Sequence, residues 1–173
     1  MTRRDQPQQL LLPANPVFIW TTLLLGLVVS LLPIGRAAWM PDVLLLLLVF
    51  WSVHQPARIG MGAAFALGLC IDVQQAALLG QHALTYTVLV FLGQSLQRRL
   101  LWLSVLEQTA QLLPVFVAAQ AIEVVVRLIG GGVFPGWSVL AAPLVEALLW
   151  PVASMVLLAP QRRAPDPDEN RPL

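Results

Sequence analysis

The chain has one cysteine, Cys70, set within an apolar run. It can therefore form neither an internal disulfide nor a cysteine metal site, and a small buried hydrophobe is the simplest reading of that residue. Lysine is absent, and all ten basic residues are arginine. Without lysine, the Gly130 to Gly132 triplet lacks the residue that completes a phosphate-binding loop and reads as a plain loop. The two histidines, His54 and His82, read as turn residues on opposite faces of the membrane domain, which argues against a shared metal site. Serines occur along the chain, but no histidine stands at a suggestive spacing, so no nucleophile and base can be assembled. No catalytic residue, cofactor site or metal site is expected. Charge is scarce too, at 11% of residues against roughly 25% in soluble domains. A formal net charge of +1 points to no particular partner, and a basic-aromatic patch for nucleic acid is missing.

What the chain has in abundance is apolar sequence: 58% hydrophobic residues and a mean hydropathy of +0.77 over 173 residues. This is the composition of an integral membrane protein, and at about 20 residues per span only about five to seven crossings fit. The apolar runs are continuous rather than alternating, which disfavours a transmembrane β-barrel. The expected fold is all-α, a compact six-helix transmembrane bundle.

In chain order, residues 1–16 form a polar leader carrying Arg3 and Arg4. The apolar run after it is too long for a signal peptide and has no small-residue cleavage site before Pro33, so it reads as a retained first span. A membrane domain over 17–160 divides into spans at 17–33, 37–53, 58–79, 83–97, 110–129 and 138–159. Asp42 caps the second of these. The strongly apolar part of that span, Val43 to Val53, is only eleven residues, about 17 Å of helix. Either it is a short helix or it pairs with the third as a re-entrant hairpin. The tail at 161–173, rich in proline and charge, is expected to be disordered. The tryptophans read as interfacial or packing residues.

Six crossings put both termini on one side. With the termini cytoplasmic, eight arginines, among them Arg58, Arg98 and Arg99, fall inside and only Arg36 outside, as the positive-inside rule requires. The expected location is the bacterial inner membrane, multi-pass.

One stretch carries most of the internal information. Gly60, Ala64, Gly68 and Asp72 recur at four-residue intervals, so on a helix they form one stripe of small residues ending in a carboxylate, a candidate surface for helix packing or a partner. Asp72, Glu123, Arg127 and Glu146 all fall in the outer half of the membrane domain, an intramembrane polar cluster. Such groups face protein or water rather than lipid. Glu123 and Arg127, four residues apart, are expected to pair. Asp72 and Glu146 would then share Arg127, be partly protonated, or take donors from a partner. The cluster reads first as a polar clamp between the third, fifth and sixth helices, with a transport or catalytic role as the alternative.

The order of several landmarks resembles the bacterial rod shape-determining MreD family. They are Pro41-Asp42 before a leucine-rich run and Trp51, Pro56-x-Arg58 opening the glycine-rich third helix, and Gly68-x-x-x-Asp72. Leu79-Gly80-x-x-Ala83-Leu84 follows, and Leu149-Trp150-Pro151 lies in the last span. The resemblance covers about Val17 to Arg163. It implies a non-enzymatic inner-membrane scaffold of the cell-elongation complex that directs peptidoglycan synthesis and maintains rod shape. The implied partner is the membrane helix of MreC and, through it, MreB filaments, the RodA glycosyltransferase and a class B penicillin-binding transpeptidase, all among membrane lipids. It further implies a fold like that of the membrane substrate-binding subunits of energy-coupling-factor transporters. The alternative is a small-molecule binding or transport subunit with an outer-leaflet polar pocket.

Overall fold

Asp42 decides where the most buried helix begins. Its Oδ1 accepts the backbone N–H groups of Leu44 and Leu45 at 3.0 and 3.1 Å, satisfying two of the donors a helix start leaves without partners. In the computed structural model, which describes residues 15–32 and 39–161, helix α2 (Val43–His54) follows directly. It is apolar all round and nine of its twelve residues are buried. That is the composition of a helix enclosed by others, and α1 (Pro16–Leu31), α4 (Gln81–Trp102) and α6 (Ala141–Leu158) pack around it. Helices α3 (Met61–Gln75) and α5 (Val105–Ile129) complete the bundle, α3 lying along α4 and α5 between α4 and α6. The described residues form helices, turns and loops with no strand. The regions expected to be a leader and a disordered tail fall almost entirely outside the described residues, as do Arg3, Arg4, Arg36, Arg162, Arg163 and Arg171.

Several boundaries differ from expectation for local reasons. The third helix stops at Gln75 rather than reaching 79, because Ala76 takes a left-handed conformation at φ 48°. The Asp72 carbonyl then accepts from Ala77 N–H at 3.1 Å. The fourth helix runs on to Trp102, so Arg98 and Arg99 sit in its last turns rather than in a polar connection. The fifth starts at Val105, five residues before the expected 110, since Glu107 Oε2 accepts from both the N–H and the hydroxyl of Ser104, a local capping arrangement. Pro114 lies within α5 without ending it. A single 3₁₀ turn, Trp137–Leu140, leads into α6. Two stretches, Val105–Ile129 and Trp137–Gln161, are long and apolar enough to cross a membrane. By contrast α2 extends only about 18 Å.

Aromatic residues join α1, α2 and α6. Trp51 and Trp150 are fully buried. Phe50 meets both, with ring centroids 5.0 Å and 5.8 Å away, and stacks on His54 at 4.1 Å. The Trp51 indole donates to Thr22 Oγ1 at 2.9 Å and that of Trp150 to Gln108 Oε1 at 3.0 Å, so neither buried N–H is orphaned. Trp20, Trp39, Trp102 and Trp137 are instead exposed. Cys70 corrects the sequence reading: it lies on the outward face of α3 and is exposed.

Candidate functional site

The bundle has two unlike ends. At one, where α2 and α4 finish and α3 and α5 start, three glutamine side chains hold backbone carbonyls. Gln94 donates to the carbonyl of Ile59 at 3.0 Å, Gln108 to that of Leu103 at 3.1 Å, and Gln161 to that of Leu157 at 3.1 Å. Arg58, Arg98 and Arg99 are exposed there.

At the other end α2 is recessed. Asp42, its cap, accepts the Tyr86 hydroxyl at Oδ2 through a short hydrogen bond, and its backbone N–H donates to Glu146 Oε1 at 3.0 Å. Tyr86 and Glu146 each lie five residues into their helices. The start of α2 therefore sits about 7–8 Å below the starts of α4 and α6. The vacated column is a cavity of about 560 Å³ with Asp42 at its floor. Its walls include Gln75, Gln81, Gln120, Glu123 and Arg127 together with apolar residues of α1 and α5.

Asp72 stands behind this cavity. From the last turn of α3 its carboxylate accepts the N–H groups of Gly80 and His82, both at 2.8 Å, and of Ala83 at 3.4 Å. The His82 ring donates from Nδ1 to Asp72 Oδ1, also at 2.8 Å. Asp72 thus caps α4, whose own N-cap residue, Gly80, has no side chain to do so. His82 is a helical residue on the cavity wall, not a turn residue, and His54 is the last residue of α2, donating from Nδ1 to the Phe50 carbonyl at 2.9 Å.

Of the expected polar cluster, Glu123, Arg127 and Glu146 line the cavity, while Asp72 reaches it only through His82. The expected Glu123–Arg127 ion pair does not form. Among the described residues Asp72–His82 is the only cation–carboxylate contact within 4.0 Å. Both side chains line the open cavity instead of lying along each other. Glu146 obtains its donor from the backbone of Asp42, so it needs neither Arg127 nor a partner chain for that bond. In the small-residue stripe, Ala64, Gly68 and Asp72 are buried. A Cβ built at Gly68 would lie 2.4 Å from Ala83 Cα, whereas one at Gly60, the exposed N-cap of α3, would meet nothing within 4 Å.

Local sequence pattern does not single out Tyr86 and marks Asp42 only as a cap. A signal for Tyr86 was present, since it is the single tyrosine of the chain and its hydroxyl needs a partner in an apolar helix. The described residues contain no group of three or more His, Cys, Asp or Glu side chains placed to hold a metal ion.

No solved structure matches the chain. A family model described as rod shape-determining protein MreD matches residues 13–159, and the chain belongs to that family of membrane proteins of the cell-shape machinery.

Proposed function

We propose that this protein is a non-enzymatic scaffold of the elongation complex, acting in the bacterial inner membrane through helix–helix contacts with the single membrane helix of an MreC protein. MreC in turn links it to MreB, RodA and a class B penicillin-binding transpeptidase, so that peptidoglycan synthesis follows the rod. The family match across residues 13–159 carries this reading. The internal bonding supports it. Asp72, Asp42 and Tyr86 spend their polar groups on fixing α2, α3, α4 and α6 relative to one another, which suits a rigid surface for partners.

In the same reading all six helices cross or enter the membrane and both termini are cytoplasmic. The exposed Arg58, Arg98 and Arg99, at the end away from the cavity, support that orientation. The stripe of Ala64, Gly68 and Asp72 is assigned to packing α3 on α4 inside the chain rather than to MreC. The likeness in fold to the substrate-binding subunits of energy-coupling-factor transporters belongs to this proposal as well, supported by the all-helical six-element order and the recess at one end.

Co-expression with an MreC-like single-span protein, followed by affinity purification in mild detergent, tests the scaffold role. Stable co-purification is expected. Failure to associate both in detergent and by crosslinking in cells would overturn it.

A further inference from the structure

The cavity gathers polar side chains from several helices around one open volume. Among the described residues the side chains of Gln75, Gln81, Gln120, Glu123 and Arg127 have no hydrogen-bond or ion-pair partner, although all line the cavity. Glu146, 3% exposed, holds a single hydrogen bond, at Oε1, which leaves Oε2 without one. Polar groups in a membrane domain are costly unless something satisfies them, and this concentration of them surrounds a volume within the usual range for small-molecule sites.

The arrangement of charge narrows the occupant. Asp42 is satisfied by two backbone N–H groups and the Tyr86 hydroxyl, so the carboxylates with free capacity are Glu146 and Glu123, which line the same cavity. Arg127 stands one helical turn beyond Glu123, towards the mouth. We propose that the cavity binds a zwitterionic ligand, its primary ammonium seated between Glu146 and Glu123 and its anionic group at Arg127. An ammonium presents three donors to the carboxylates and glutamine carbonyls, and a guanidinium pairs well with a phosphate or carboxylate. An aminoethyl phosphate group has this chemistry, either as a lipid headgroup or as a free molecule. The inference rests on the cavity and not on the scaffold reading.

Two arms test it on the full-length protein. In detergent, calorimetric titration with O-phosphorylethanolamine reads the free molecule. In nanodiscs, native mass spectrometry compares retention of phosphatidylethanolamine with that of phosphatidylcholine, whose quaternary ammonium has no N–H to donate. Saturable binding in the first arm only assigns a free ligand, and selective retention in the second only assigns a lipid. In either case Glu146→Gln and Glu123→Gln should weaken binding about tenfold or more. Among the described residues the Glu123 side chain holds no hydrogen bond or ion pair, so its variant should fold and remains informative if Glu146→Gln is unstable. No saturable binding in either arm, or binding unchanged in Glu123→Gln, would overturn the proposal and leave water as the occupant.

Discussion

Asp72 in α3 and His82 in α4 are joined by two 2.8 Å hydrogen bonds to one carboxylate oxygen, Oδ1, from the backbone N–H and from Nδ1 of His82. The other oxygen, Oδ2, accepts from Gly80 and, at longer range, from Ala83. A single side chain in the last turn of one helix thereby caps the start of the next and closes the turn between them.

Replacing Asp72 with alanine strands the first N–H groups of α4 in a buried site and removes the His82 partner. The expected loss is about 3 kcal/mol or more, with Asp72→Asn intermediate because its amide keeps one acceptor oxygen. Thermal unfolding of the purified protein in detergent measures this. A melting temperature equal to wild type for Asp72→Ala would show that the cap contributes nothing.

Gly68→Ala brings a methyl to 2.4 Å from Ala83 Cα and 2.5 Å from Ala83 N, both backbone atoms that cannot rotate away. Helices α3 and α4 must separate, at about 1–3 kcal/mol. Gly62→Ala, in the same helix but with nothing within 4 Å, should be neutral or stabilising by up to about 1 kcal/mol. Comparing the two melting temperatures separates a steric contact from a general effect of glycine replacement.

These two sites show how far the sequence could be read. The four-residue spacing of Ala64, Gly68 and Asp72 marks a packing edge, and Asp42 ahead of an apolar run marks a helix start, because both signals are local. The direction in which the Asp72 carboxylate turns is not local. It depends on Ala76 entering the left-handed region and on Gly80 offering no cap of its own, which together bring the start of α4 back over Asp72. The Asp42–Tyr86 bond spans 44 residues and requires knowing that α2 and α4 are neighbours. At Glu123 and Arg127 the four-residue rule does not hold: both side chains line a recess, which no local pattern reveals. That recess follows from the shortness of α2. The sequence showed the short run, but not that it would sit at the centre.

Tyr86→Phe removes one oxygen and leaves Asp42 Oδ2 without its donor in the cavity floor. A charged acceptor that loses a buried partner costs about 1–3 kcal/mol. Asp42→Ala should cost more, since it also abandons the N–H groups of Leu44 and Leu45. Chemical denaturation of both variants checks the order. A Tyr86→Phe protein as stable as wild type would mean that water replaces the hydroxyl without loss.

At the opposite end, Trp150 and Gln108 join α6 to α5 through a buried hydrogen bond of 3.0 Å, and the same glutamine holds the Leu103 carbonyl at the start of α5. Trp150→Phe keeps most of the ring packing and removes the donor, while Gln108→Leu removes the acceptor and the link to Leu103. If the indole bond is formed in the membrane, the double variant should be less damaged than the sum of the single ones, with a coupling of about 1 kcal/mol. The cycle is best measured by unfolding the four proteins under one detergent condition. A coupling indistinguishable from zero would mean that Trp150 stabilises the bundle through apolar burial alone, and the α5–α6 contact would then rest on the packing of Phe116 and Ala147 with their neighbours in the core.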